Sequence, residues 1–207
     1  LMKYSVNNYE LFFQLSSEEK IVLSFEEPIG RWIPCDNIPL IFSHSDRELL
    51  LSVKSIRESM TLLIVLLTSA LKNKLHIDKS ITKDIGFLWN QEIQKKPGLV
   101  YMKLENKDYW IGLNNLLWTT PTNVEPTVST WIYNNSKGEI VLEITPDYPW
   151  HFRAPNRDEL YVDYEKWISK YEPFVICTIS PEIATRWINQ AQEILNKIDQ
   201  NIKKQDK

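Results

Sequence analysis

From Asp46 to Lys74 the chain contains neither glycine nor proline, and Leu49, Val53, Ile56, Met60, Leu63, Leu67 and Leu71 recur at spacings of three, four and seven. Apolar residues at that period line up on one side of a helix, so the stretch constrains the fold more than any other. Ser45 or Asp46 stands where a side chain accepts from the first free amides, and Glu48 falls in the first turn. The pattern predicts one long helix over about 46–74. Its centre, "MTLLIVLLTSAL" (60–71), is nearly all apolar but flanked by Arg57, Glu58, Lys72 and Lys74. Crossing a bilayer takes about 20 such residues, so a helix buried on most sides in a protein core is expected, with no membrane span.

The text around this helix reads as strand. "YELFFQL" and "KIVLSFE" flank Ser16-Ser17-Glu18-Glu19 and suit a hairpin; "LIFS" suits a further strand. Between them, Pro28, Gly30, Pro34 and Pro39 dictate turns and short extended pieces. A second helix is expected in "DKSITKDIGFLWNQEIQKK", with Ile81, Ile85, Leu88, Trp89 and Ile93 on one side, an unfavourable Gly86 in its middle, and Pro97-Gly98 as its stop. "GLVYMKLE" and "YWIGL" read as a hairpin turning at 106–108, which "NLLWTT" extends; "VSTWIYN" and "GEIVLEIT" read as another, with Gly138 at a positive φ. In the latter strand Glu139, Val141 and Glu143 alternate with Ile140, Leu142 and Ile144, the pattern of a sheet with one solvated face. "DYEKWISKYEP" gives a short amphipathic helix ended by Pro173, and "FVICTI" a short strand. Ser180 and Pro181 open a last helix with Ile183, Trp187, Ile188, Ala191, Leu195 and Ile198 inward.

Strands, helix, strands and helix without strict β-α alternation define an α+β class with a mostly antiparallel sheet, a long central helix and a C-terminal helix. Residues 2–207 are expected to form a single domain whose weakest point is near 75–80; Leu1 before Met2 reads as an addition to the natural start.

Several chemistries lack local support. His44, His76 and His151 are scattered, and Cys35 and Cys177 lie far apart, so no metal-ligand spacing occurs. No G-x-S-x-G, G-x-x-x-x-G-K-[ST] or G-x-G-x-x-G is present, and five glycines in 207 residues leave little to build a phosphate cradle. No cofactor or metal is therefore expected. A signal peptide is not evident in "LMKYSVNNYELFF", which points to a cytoplasmic chain with two buried thiols. The net charge of −3 argues against direct nucleic-acid binding.

The chain's 12% aromatic content is concentrated in places, most sharply in "TPDYPWHF" (145–152). Pro146 cannot donate to a sheet, and Pro149 keeps Tyr148 extended. A stiff ribbon alternating Tyr148, Trp150 and Phe152 follows, fit either to cap a core or to dock on a partner at low entropic cost. From Gly138 to Glu172 there are eight acids and four bases, so this region is more acidic than the chain as a whole. Acids beside rigid aromatics suit a basic protein partner, because charge steers encounter and aromatics anchor.

The segment "STWIYNNSKGEIVLEITPDYPWHF", followed by "YEKWISKYEPFVICTISPEIATRWINQAQEIL", resembles the immunity proteins of bacterial polymorphic-toxin and contact-dependent growth inhibition systems. The resemblance spans Trp118 to Leu195 and lies in texture: aromatic strands, a Pro-Trp knot, an acidic segment and a closing helix. It implies a cytoplasmic, non-enzymatic inhibitor that occludes the active site of a cognate toxin domain, for which nucleases are one common class. The expected interface is Asp147, Trp150, His151, Asp158, Glu159, Asp163 and Glu165. Two alternatives stand beside it. One is a small hydrolase or transferase with His151 as base, Asp147 or Asp158 orienting it, and Ser129 or Cys177 as nucleophile. The other is an oligomer whose exposed aromatics bury one another.

Overall fold

The computed structural model describes residues 9–25, 37–45, 47–77, 81, 83–95, 102–104, 107–109, 115–151 and 153–205. The expected turns of 27–36 with Cys35, the Asp46 cap, the Pro97-Gly98 stop, Asn106 and Phe152 lie outside them.

The protein is α+β, with two four-stranded sheets, a two-stranded ribbon and four helices among the described residues. It divides into two compact units, one formed by residues 1–72 and 179–207, the other by 73–178.

In the first unit, β1 (Tyr9–Gln14), β2 (Glu19–Phe25), β3 (Asn37–His44) and β4 (Arg47–Ser55) form an antiparallel meander in chain order. Helices α1 (Ile56–Leu71) and α4 (Pro181–Gln205) pack on each other. The long helix expected over 46–74 is therefore corrected at its front third, which is strand. Ser45 takes a left-handed φ of 54°, which turns the chain back so that Arg47 pairs with His44. Pairing with β3 along the whole of β4 outweighs the helical spacing of Leu49 and Val53, since strand preference is set by neighbours rather than by the residue alone. The helix starts instead at Ser55, whose hydroxyl accepts from the Glu58 N–H at 3.2 Å. It is less enclosed than expected: Val65 on its outer side is 52% exposed. Ile56, Met60, Leu63 and Leu67 are buried together with Ala184, Trp187, Ala191 and Ile198 of α4. Trp187 meets Phe13 edge-on at 5.8 Å and donates its indole N–H to the Gln14 carbonyl at 2.9 Å. Arg186 also donates to that carbonyl, and Gln190 donates to the Phe12 carbonyl at 3.1 Å. Side chains of α4 thus cover the open edge of β1. Ile183 and Ile188, expected inward, are half-buried, and Ile194 is buried beside Leu195.

In the second unit, β7 (Leu116–Thr119), β8 (Val128–Asn134), β9 (Ile140–Pro146) and β10 (Val175–Ile179) form the other sheet in the order β10-β9-β8-β7. The ribbon of β5 (Met102–Leu104) and β6 (Lys107–Tyr109) is separate; the 116–119 strand pairs with β8 rather than extending it. Gly138, at φ 80°, turns β8 into β9. Helix α2 (Ile85–Lys95) packs on β8 and β9, and α3 (Tyr164–Ile168) follows the knot, with Asp163 accepting from the Lys166 N–H at 2.9 Å. The solvated face expected for β9 is absent: every β8 residue is buried, as is every β9 residue but Pro146. Ile85 of α2 joins Trp131, Tyr133 and Val141 in a core flanked by Ile77, Leu88, Trp89 and Leu116.

Candidate functional site

Covering β9 with α2 buries a carboxylate, and the local geometry follows from that. Glu143 is fully buried. Its carboxylate accepts the Gly86 N–H at 2.8 Å, the Ile85 N–H at 3.3 Å and the Tyr133 hydroxyl at 2.8 Å. The first turn of a helix offers free amides and a positive dipole end, so it is a fit place for a charge that water cannot reach. Burial still dominates and pushes Glu143 up from 4.5 to about 7, against the pull of the Gly86 amide and the Tyr133 hydroxyl. Gly86 belongs here because a Cβ would stand 2.5 Å from both Cβ and Cγ2 of Thr145.

Four residues on, Asp147 is buried too and accepts from the Ser129 hydroxyl at 2.7 Å. Burial raises it from 3.8 to about 7. Asn90, fully buried on α2, ties the helix to the start of the knot. Its amide donates to the Gly86 carbonyl at 2.8 Å and the Pro146 carbonyl at 3.1 Å, and accepts the Tyr148 N–H at 2.8 Å. The same oxygen lies 3.1 Å from His151 Nε2. Burial holds His151 down from 6.5 to about 4.

From Tyr148 to His151 the knot is a turn, not the extended ribbon expected of it. The His151 N–H returns to the Tyr148 carbonyl at 3.2 Å, which closes the turn. Buried Tyr148 becomes a hub instead, with the rings of Trp150, His151, Tyr164 and Trp167 at 5.1 to 5.4 Å. Its hydroxyl donates to the Val162 carbonyl at 2.8 Å and lies 3.4 Å from the Tyr161 hydroxyl.

Above this hub the chain is pinned to the surface. Arg153 grips Glu159 with both terminal nitrogens, one at 2.6 Å, and reaches Glu125 at 2.9 Å. Glu159 in turn accepts the Asn156 N–H at 2.9 Å. These hydrogen bonds, the Arg153 guanidinium first, hold the Glu159 carboxyl well below the usual range. Tyr161 meets Trp150 edge-on, ring centres 5.1 Å apart. Between the two tethers stand exposed Asp158 and Leu160, the latter 91% exposed.

The expected interface residues thus fall into two layers. Asp158, Asp163 and Glu165 are exposed on one continuous segment; Glu159 is half-buried in the Arg153 grip; Trp150 and His151 are half-buried in the aromatic hub; Asp147 is buried beneath. Leu160 and Tyr161, exposed on the same segment, stand outside the expected set, although an apolar pair inside "RDELYVD" is a visible signal. Of the groups considered for hydrolysis, Ser129 gives its hydroxyl directly to Asp147, both buried in the protein, and Asp158 is exposed. Cys177 is half-buried on β10, its thiol 3.9 Å from the Leu142 carbonyl. Among the described residues no three His, Cys, Asp or Glu stand together to hold a metal, and no helix is long and apolar enough to cross a membrane.

No family model, curated protein or solved structure matches this chain.

Proposed function

We propose that this chain is a non-enzymatic binding protein acting in the cytoplasm, an immunity protein that neutralises a cognate toxin domain by covering its active site. The second unit supplies the interface through the segment from Trp150 to Glu165. The observation that carries the reading is the Arg153 grip on Glu159 and Glu125, which fixes a glycine-free surface loop over a packed aromatic base. A loop ordered before encounter loses little entropy on docking, and exposed acids at Asp158, Asp163 and Glu165 favour a partner with a cationic rim.

The test is binding to the protein encoded beside this chain's gene, measured by calorimetry. Asp158→Lys with Glu165→Lys, both on exposed side chains, is expected to weaken the complex at least tenfold while the fold is retained. Unchanged affinity in that double variant would remove this interface, and absence of any complex would remove the function.

A further inference from the structure

The reading above gives no role to Leu160, the most exposed large apolar side chain among the described residues. Leu160 stands almost wholly in water, in a segment where its neighbours are anchored: Glu159 by Arg153 and Asn156, Tyr161 by Trp150, the Val162 carbonyl by the Tyr148 hydroxyl, and Asp163 as the cap of α3. A single exposed leucine is ordinary on a protein surface. One held at the crest of a loop tied down on both sides, with the half-exposed Tyr161 ring next to it, is a preorganised knob.

We infer that Leu160, backed by Tyr161, is the apolar anchor of the interface, and that it enters a pocket on a folded protein partner whose rim is cationic. Charge selects this occupant. Exposed Asp158, Asp163 and Glu165 flank the knob along the chain, while Arg153 and Glu159 largely neutralise each other and Arg157 and Lys166 offset two of these three acids. A nucleic acid or an anionic lipid surface would bring negative charge against that rim, so neither fits. A pocket bordered by lysine or arginine fits both parts, and a toxin that acts on a polyanion presents such a groove. The division of labour is then fixed: the acids set the rate of encounter, and the leucine sets how long the complex lasts.

This inference rests on the proposed function, and the experiment separates the two. Association and dissociation rates with the neighbour-encoded protein are measured for the wild-type chain, Leu160→Ser, Leu160→Met and Asp158→Asn. Leu160→Ser is expected to speed dissociation thirtyfold or more with little change in association, and Leu160→Met to stay within about threefold, because it keeps the apolar volume. Asp158→Asn is expected to slow association, and the effect to fade with added salt. Wild-type binding with an unchanged dissociation rate in Leu160→Ser overturns the anchor and leaves the function standing. Failure of the wild-type chain to bind removes both.

Discussion

The Glu143 carboxylate on β9 accepts the Gly86 N–H at 2.8 Å, so one buried side chain fixes the first turn of α2 over the sheet. The contact is close because position 86 has no side chain. Gly86→Ala would drive a methyl into Thr145, whose hydroxyl is held by the Trp131 indole at 3.1 Å. The helix must lift, and the hydrogen bonds to Glu143 lengthen with it. We expect a loss of about 2–3 kcal/mol, more than offsetting any gain in helix preference, read as a lower urea midpoint.

Stability is expected to fall as pH rises towards neutrality. Glu143 and Asp147 both hold their protons more tightly folded than unfolded, with values raised to about 7. Their contribution is complete below the unfolded values and is lost as pH rises through about 7. His151 works the other way: lowered to about 4, it contributes above its unfolded value and loses that contribution as pH falls through the folded one. Between about pH 4.5 and 6.5 two carboxyls oppose one imidazole, so stability falls with rising pH by the equivalent of about one proton. Asp147→Asn should flatten that slope. Urea midpoints that rise steadily from pH 5 to 7 in the wild-type chain would contradict the account.

Asn90 uses its amide on both sides, and the two sides can be told apart. Asn90→Asp removes the donors to the Gly86 and Pro146 carbonyls and sets negative charge against them, at a cost of about 3 kcal/mol. It also places a carboxylate 3.1 Å from His151 Nε2, which favours the imidazolium. In a proton NMR titration, His151 should be neutral at pH 6 in the wild-type chain and largely protonated in the folded fraction of the variant.

The Arg153 grip is expected to control loop order rather than overall stability. Arg153→Ala frees Glu159 and Glu125 and releases the turn at Asn156. Limited trypsin digestion should then cut after Arg157 at least severalfold faster, with the thermal midpoint nearly unmoved. Equal cleavage rates in both chains would show that the loop is ordered by something other than the grip.

Much of this architecture is legible in the residues, and the failures have physical causes. The β1–β2 and β8–β9 hairpins, the positive φ at Gly138 and the cap at Ser180, whose hydroxyl accepts the Ile183 N–H at 3.3 Å, are all written locally, in turn residues and alternation. The start of α1 was also legible, because Ser55-Ile56-Arg57-Glu58 carries the spacing of a capping box. The uninterrupted apolar spacing upstream hid it, and only pairing with β3 makes 47–55 a strand. Glu143 misled for a similar reason: alternation reports which residues share a face, while burial of that face depends on α2, from a distant part of the chain. The hydrogen bond between Asn90 and the knot joins residues far apart in sequence, so no spacing rule reaches it. Asp158, Asp163 and Glu165 lie exposed on one segment, and the apolar pair Leu160-Tyr161 among them follows neither a helical nor a strand period that would mark its exposure.

The closure of β1 by Arg186, Trp187 and Gln190 has a consequence for how this protein behaves at high concentration. The Phe12 and Gln14 carbonyls, already occupied by a helix of the same chain, offer no template there for a strand of a neighbouring molecule, so growth of the sheet is hindered at that border. Arg186→Ala with Gln190→Ala would uncover it, and that variant should associate more readily than the wild-type chain.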